Sequence, residues 1–139
     1  MAMDNNVIKN LLQNRGLKAT NTRLDLLNKM QKYGSAMSYS NLQKEMSPID
    51  RVTLYRTIES LKENGIIHKA FQENNETYYA VCGNTCDENH HQHEHVHFKC
   101  TKCNTVTCEK LSNTIEVLLP NYLIQKISVN VEGLCQVCK

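Results

Sequence analysis

Four cysteines form the clearest chemical pattern in this sequence. They stand as two CxxC pairs, Cys100 with Cys103 and Cys135 with Cys138, separated by about 30 residues. Each pair places two thiolates on one tight turn, and two such turns facing each other complete the tetrahedral four-sulfur shell that zinc prefers. A single CxxC would leave buried or redox-active cysteines as an equal alternative, but the doubled pattern favours a metal. The sequence therefore predicts a structural zinc bound by all four, and zinc binding would add folding energy to a small core.

A second group of potential metal ligands is rich in histidine. Five of the six histidines lie between His90 and His97. In an extended strand the alternate residues His93, His95 and His97 project from one face, where their imidazoles can bind one metal ion together. A solvated loop that binds metal loosely is the alternative. For His90 and His91 both interpretations stay open, whereas His95 and His97, directly before a CxxC pair, are interpreted as ligands.

Three further cysteines, Cys82, Cys86 and Cys108, have no partner at CxxC spacing. A buried free thiol is the usual explanation of a lone cysteine. The polar composition around Cys82 and Cys86 argues against burial, so a metal-binding or redox role stays open for these two. The total of seven cysteines is odd, which argues against a purely disulfide framework.

The elements that must position these residues begin with four short helices in the first half of the chain, predicted from apolar residues at helical spacing. Polar residues that can cap a helix, a proline that breaks one and glycines that end one set their limits. The helices are predicted to begin before Val7, at Thr20 or Asn21, at Ser38 or Ser40, and after Asp50, and to end near Gly16, Gly34, Glu45 and Gly65. Their buried stripes are predicted as Leu24, Leu27 and Met30 in the second helix and Leu54, Ile58 and Leu61 in the fourth.

Two β-prone runs follow, residues 66–71 and 77–81, and the polar segment between them predicts a hairpin. Helix, turn, helix and hairpin together describe a winged helix-turn-helix. Beyond a stretch without apolar periodicity, the second half is predicted as strand, strand, helix and strand, over residues 93–99, 105–108, 112–119 and 123–131. A unit this small with a short exposed sheet commonly completes its core by dimerising.

The predicted fold class is therefore α+β. An N-terminal winged-helix DNA-binding domain, residues 1–82, is joined by a hinge, residues 83–92, to a small α/β metal-binding dimerisation domain, residues 93–139. Charge divides in the same way, because the 11 basic residues among residues 1–80 outnumber 8 acidic ones, whereas residues 81–139 hold 5 and 6. The first half suits an anionic partner and the second a cation.

The fourth helix carries the residues suited to nucleic acid. Arg51, Tyr55 and Arg56 lie away from its apolar stripe, at the N-terminal end of the second helix of the helix-turn-helix. Such a surface can read the major groove, with an arginine or Thr53 on phosphates and an aromatic edge on thymine methyl groups. A solvated face is the alternative, and the adjoining wing favours DNA.

Several functional classes are disfavoured. The sequence has no apolar run of the roughly 18 residues that a membrane span needs, and its start lacks the pattern of a signal peptide. We therefore expect a cytoplasmic protein without a membrane partner. Residues 93–97 have the letters of an HExxH motif, but they lie on a predicted strand, whereas that motif needs a helix to bring its two histidines to one metal ion. The sequence contains no nucleophile elbow or phosphate-cradling loop, so an enzyme is not expected.

These motifs resemble, along nearly the whole chain, the ferric uptake regulator family. The resemblance is carried by Arg15-Gly-Leu-Lys-Ala-Thr20 with Arg23-Leu24, by Val52-Thr-Leu-Tyr-Arg-Thr57 with Gly65-Ile66, by His95-Val-His97-Phe-Lys-Cys100-Thr-Lys-Cys103, and by Gly133-Leu-Cys135-Gln-Val-Cys138. It implies a homodimer that binds inverted-repeat operators in double-stranded DNA and usually represses when loaded with metal. It also implies that Lys18 approaches the minor groove, that Tyr55 reads bases and that Arg56 contacts the backbone.

The sequence departs from the family at its sensing site. The usual histidine before the third helix aligns with Ala36, and a late histidine of a further family site aligns with Ile127, so both ligands are absent. His95 and His97 match family ligands, whereas Cys108 stands where some members have an acidic ligand. The nearest match to an acidic hinge ligand is Glu88 or Cys86. Asn104 replaces a glycine, and asparagine can still adopt the left-handed conformation.

Thiolate in place of carboxylate softens this second site, and a shell of two histidines, a cysteine and one more ligand suits tetrahedral zinc better than six-coordinate ferrous iron. The leading hypothesis is a zinc-responsive repressor of the zinc-sensing branch, with zinc favoured over iron or manganese as the regulatory metal. An iron-responsive or a peroxide- or redox-responsive regulator of the same family is the alternative. A zinc-buffering protein is a further one, but it would have no use for an exposed Arg51, Tyr55 and Arg56.

Overall fold

The structure, a computed structural model, describes residues 4–81, 92–125, 127 and 129–139, with the backbone alone for residues 92–95. It divides into two compact units, Met1–Val81 and Cys82–Lys139. The first is helical with a small sheet and the second is built on a sheet, so the fold class is α+β. Nearly all of the predicted hinge, together with Cys82, Cys86, Glu88, His90 and His91, lies outside the described residues.

The first unit contains the four predicted helices. They are α1 (Asn5–Asn14), α2 (Asn21–Tyr33), α3 (Tyr39–Glu45) and α4 (Arg51–Glu63). A side chain from the residue before the helix caps three of them: Thr20, Ser38 and Asp50 accept hydrogen bonds from the backbone N–H groups three residues on. These caps satisfy backbone donors that a helix leaves unpaired at its start, which is why short polar residues mark the helix limits.

The core of the first unit lies where the four helices meet the sheet. Its fully buried side chains include Ile8, Leu12, Leu26, Leu27, Leu42, Leu54, Ile58, Leu61 and Ile67. The predicted stripe of α4 is confirmed. The stripe of α2 is wrong at one position, because Leu24 packs only at the edge of the core while Leu26 is fully buried.

The wing is a three-stranded antiparallel sheet. Strands β2 (His68–Glu73) and β3 (Glu76–Ala80) form the predicted hairpin, and β1 (Met37–Ser38) pairs with the other edge of β3. At the hairpin turn Asn74 and Asn75 have φ angles of 49° and 66°, a conformation that asparagine tolerates better than most residues. The two-residue β1 was not predicted, since a strand that short has no periodicity to recognise.

The second unit is a three-stranded sheet in the order β5-β4-β6. Its strands are β4 (Gln92–Cys100), β5 (Val106–Glu116) and β6 (Asn130–Gly133), with β4 antiparallel to β5 and parallel to β6. The helix predicted over residues 112–119 is wrong, because β5 continues to Glu116 by pairing with the start of β4 across a register shift. The strand predicted over 123–131 is also wrong, because within the described part of that segment only its last two residues are extended.

Pairing with β4 decides both corrections. The far end of β5 pairs with the start of β4, Glu116 opposite Gln92, and this pairing overrides the local apolar spacing. On the other edge of β4, only Asn130–Gly133 is paired. The described residues include no helix long and apolar enough to cross a membrane.

Gly65 lies directly after α4, where the Arg15 side chain packs closely against the backbone. Its substitution tests that contact. Its φ is +72°, and a Cβ there would lie 2.7 Å from the Arg15 Nη1 atom, which donates a 3.0 Å hydrogen bond to the Asn64 carbonyl. Gly65→Ala should lower the free energy of unfolding by about 1–2 kcal/mol from backbone strain, with a further loss from moving Arg15. Urea denaturation measures this change.

Gly34→Ala is the matched control. Gly34 also follows a 13-residue helix, has φ +78°, and a Cβ there would meet no described atom within 4 Å. Gly34→Ala should therefore lower the free energy of unfolding by the backbone strain alone. An equal or smaller loss at Gly65 would contradict a role for the Arg15 contact.

Candidate metal centre and nucleic-acid interface

The four predicted zinc ligands lie together in the second unit. The sulfur atoms of Cys100, Cys103, Cys135 and Cys138 all lie within 4.8 Å of one another, and Cys103 Sγ is 3.9 Å from Cys135 Sγ. In a tetrahedral zinc site with Zn–S bonds of about 2.3 Å, the sulfurs are separated by about 3.8 Å. The cluster is therefore close to the size that a zinc ion requires, and its all-thiol composition fits that metal.

The parallel pairing of β4 with β6 brings the two CxxC turns together. Cys100 ends β4 opposite Gly133, and the next residue, Thr101, donates a 2.8 Å backbone hydrogen bond to the Gly133 carbonyl. Asn104 closes the first turn with φ 61°, the left-handed conformation expected from the sequence, and its N–H donates to the Cys100 carbonyl. The second turn is closed by backbone hydrogen bonds to the Cys135 carbonyl.

The surroundings of the clustered thiols lower the pKa values of two of them and raise the pKa of a third. The backbone N–H of Cys103, 3.5 Å from the Cys100 sulfur, lowers the pKa of Cys100 to about 6. The Thr105 hydroxyl lowers the pKa of Cys103 below its usual value, whereas the Cys135 thiol raises the pKa of Cys138 to about 12. Sulfurs this close cannot all ionise by themselves, because each thiolate repels the next. A divalent cation would remove that restriction, which agrees with a metal site.

The predicted second metal site is only partly described. His97 on β4 lies directly opposite Cys108 on β5, and Cys108 is exposed while His97 is partly buried. Residues directly opposite each other on antiparallel strands share a face of the sheet, with Cβ atoms about 4.5–5.5 Å apart. The register therefore brings these two predicted ligands together.

The remaining predicted ligands of this site cannot be placed beside them. His95 and His93 stand opposite Lys110 and Ile115, but their side chains are outside the described part of the chain, as are Cys86 and Glu88 altogether. The register shift in β5 falls between the partners of His93 and His95. The pairing of the histidine tract with β5 is therefore irregular at this point.

The predicted DNA face of α4 is exposed to solvent. Arg51, Tyr55 and Arg56 are all exposed, while Leu54 and Ile58 on the other side of the helix are buried. Because the buried side fixes the helix on the core, the opposite side presents an aromatic ring and two guanidinium groups together. This surface can contact phosphates and base edges in a major groove.

Thr53, also predicted to contact DNA, is engaged within the helix. Its backbone N–H donates to Asp50 Oδ1 at 2.8 Å and its hydroxyl donates to Asp50 Oδ2 at 2.7 Å. The Thr53 N–H also lowers the pKa of the Asp50 carboxyl group. A threonine hydroxyl has one hydrogen to donate, and in this arrangement it goes to Asp50, the residue that caps α4.

Arg23 is used inside the first unit, where it joins two segments of the chain. Arg23 Nη1 donates to the Lys18 carbonyl at 2.9 Å, and its Nη2 donates to Ser60 Oγ on α4 at 3.4 Å. The Lys18 side chain is exposed. Arg23 therefore fastens the loop that carries Lys18 to the helix that carries Tyr55. Charge counting could not show this role, although Arg23 belongs to the motif that carries the family resemblance.

The second unit exposes a run of apolar side chains beyond β5. Leu118, Leu119, Tyr122 and Leu123 are 74%, 53%, 76% and 85% exposed. Contiguous apolar surface of this kind usually marks a contact with another protein. The run is consistent with the predicted dimerisation surface.

Comparison with known proteins agrees with these features. The model of the ferric uptake regulator family matches residues 14–128. A ferric uptake regulation protein of Haemophilus ducreyi is 31% identical over 103 residues, which cover 69% of this chain and 64% of that protein. The chain thus spans less than two thirds of the length of this relative.

Two solved structures show the same fold. A zinc uptake regulator complexed with zinc and DNA superposes with a TM-score of 0.70 at 19% identity, covering 96% of this chain and 91% of that one. The Vibrio cholerae ferric uptake regulator superposes with a TM-score of 0.58 at 21% identity, covering 91% and 98%. Since proteins named for zinc and for iron both match, the fold by itself does not select the metal.

Proposed function

Because this chain belongs to the ferric uptake regulator family, we propose that it is a metal-responsive transcriptional repressor that binds operator DNA as a homodimer and responds to zinc. The proposal of DNA binding rests on the exposed side chains of Arg51, Tyr55 and Arg56. They lie on α4, which is capped by Asp50 and buried on its other side. Proteins of this family regulate transcription, which supports the expectation that the chain is not an enzyme. The same face argues against a protein that only buffers zinc.

Two metal sites have separate roles in this proposal. Zinc bound by the four clustered cysteines holds the two CxxC turns together and contributes to folding. A second, exchangeable metal bound by His97 and Cys108, with His95 and either Cys86 or Glu88, regulates DNA binding; His93 is a further candidate ligand. Support for zinc in the second site comes from Cys108, because a thiolate beside an imidazole favours zinc over ferrous iron or manganese.

The proposed dimer rests on the exposed apolar run of Leu118, Leu119, Tyr122 and Leu123. Burying these side chains against a second copy removes apolar surface from water at about 25 cal/mol per Å². Two copies of α4 can then read the two halves of an inverted repeat, as dimeric helix-turn-helix proteins do.

Two substitutions on α4 test the DNA-binding proposal. Arg56→Ala should lower affinity for all duplexes and reduce the slope of log affinity against log salt by about one, because one phosphate contact is lost. Tyr55→Ala should instead relax base preference by about 1–3 kcal/mol at the base that Tyr55 reads. Fluorescence anisotropy with labelled duplexes at several salt concentrations measures both effects.

Lys9→Ala is the control, since it removes an exposed positive charge from a different helix, α1. It should leave specificity unchanged. If salt dependence and base preference are unaltered in both α4 variants, α4 is not part of the interface.

A further inference from the structure

Val52 is an apolar residue exposed on the face of α4 proposed to contact DNA. Its side chain is 58% exposed, and Tyr55, three residues on, is 57% exposed. Residues three and four apart are neighbours on a helix surface, so Val52, Tyr55 and Arg56 form one continuous patch. This patch lies in the first two turns of α4, which begins at Arg51.

The stability of the helix does not account for a valine at this position. A β-branched side chain loses rotamer freedom in a helix, and an exposed position gives little burial in return. Capping is already provided by Asp50, which accepts hydrogen bonds from both the N–H and the hydroxyl of Thr53. The side chain of Val52 therefore contributes to neither the cap nor the core, and its apolar surface is available to a partner.

The choice of partner follows from the chemistry of valine. Its side chain has no hydrogen-bond donor or acceptor, so in a DNA groove it can recognise only an apolar group. The C5-methyl group of thymine is the apolar group that the major groove displays, and it helps to distinguish an A·T pair from the others. The first residues of a recognition helix are those that contact base edges.

We propose that Val52 is a specificity-determining residue that contacts the C5-methyl group of one thymine in each operator half-site. Thr53, which donates both its N–H and its hydroxyl hydrogen to Asp50, holds the first turn of α4 in place for Val52. This inference rests on the proposed function, because it requires that α4 enter the major groove. It adds a base contact that neither Tyr55 nor the arginines supply.

Replacing thymine by uracil tests the contact, because uracil lacks only the methyl group. Wild-type protein is first used to select duplexes from a randomised pool, and each thymine of the selected sequence is then replaced singly by uracil. Wild type should lose about fourfold in affinity at the contacted position, the value for one buried methyl group. Val52→Ala should bind the thymine duplex more weakly by a similar factor and should be insensitive to uracil at that position alone.

Two variants serve as controls. Val7→Ala removes a similarly exposed valine, 50% exposed on α1, and should keep the uracil profile of the wild type. Tyr55→Ala should lose sensitivity at a different position from Val52→Ala. Because Val52 is exposed and alanine favours a helix more than valine does, the alanine variant should unfold at or slightly above the wild-type temperature, so a change in the profile reports on the contact.

The outcomes separate this inference from the proposed function. If wild type selects a duplex and Val52→Ala keeps the uracil sensitivity of the wild type at every position, the Val52 contact is overturned while DNA binding stands. A wild type that is insensitive to uracil at every position also overturns it. If wild type selects no duplex at all, the proposed function fails and this inference fails with it.

Discussion

Replacing Cys103 with serine is expected to release the structural zinc and unfold the second unit. Cys103 is exposed, whereas Cys100 is fully buried. A serine at position 103 therefore removes one zinc ligand without opening a cavity in the core. The expected effect is large, because apparent binding free energies of structural zinc sites are about 10–16 kcal/mol and a domain of this size has only a fraction of that as net stability.

The measurement combines metal analysis with thermal unfolding and size. Wild type should keep one zinc per chain after mild chelation, melt cooperatively and elute as a dimer. Cys103→Ser should keep none, lose the transition of the second unit and elute as a monomer or aggregate. The first unit should keep its helical signal, since its core of buried leucines and isoleucines is built from residues of that unit alone.

Cys108→Ser is the matched control for this experiment. Cys108 is also exposed and lies on the neighbouring strand, but it is not part of the four-sulfur cluster. It should keep the tightly bound zinc and the melting temperature of the wild type. If Cys103→Ser likewise keeps its zinc, its dimer and its melting temperature, the four cysteines do not form a structural zinc site.

The second large effect concerns the metal response. Adding zinc should raise the operator affinity of wild type by about 100-fold, which corresponds to about 2.7 kcal/mol of coupling. The variant that combines His97→Ala with Cys108→Ser should lose this gain, because it removes the two ligands that the register of β4 and β5 places opposite each other. A metal can shift DNA binding only by its different affinity for the binding and non-binding states, so loss of the ligands that create this difference removes the response.

The test is a titration of operator binding against zinc, ferrous iron and manganese in separate experiments. Reciprocity provides an internal check, because operator DNA must tighten metal binding by the same factor. Glu116→Gln is the control: it removes an exposed carboxylate at the other end of β5 and should leave the response unchanged.

The outcomes distinguish the site from the metal. Should the double variant gain affinity on zinc addition as wild type does, the regulatory site lies elsewhere. Should wild type respond to ferrous iron and not to zinc, the zinc proposal is wrong while membership of the family stands.

Local chemistry in the sequence was enough to predict the four helices and the hairpin of the first unit. The capping residue Asp50, the left-handed Gly65 and the stripe of Leu54, Ile58 and Leu61 all act within one helix and its ends. Interactions that span three or four residues are visible in sequence order, so the limits of α4 could be predicted closely. The spacing within each CxxC pair is equally local, and it identified the four cysteines that the structure brings together.

Features that depend on distant partners could be decided only by the tertiary structure. The hydrogen bonds of Thr53 to Asp50 are local. By contrast, Arg23 joins Lys18 to Ser60, and this depends on two segments about 40 residues apart in sequence meeting in space. In the same way, β5 is a strand to Glu116 because β4 supplies its hydrogen-bonding partners, although its apolar spacing predicted a helix over part of it. That pairing also sets His97 opposite Cys108. Sheet register is a non-local property, because each backbone group is satisfied by a strand that sequence order does not reveal.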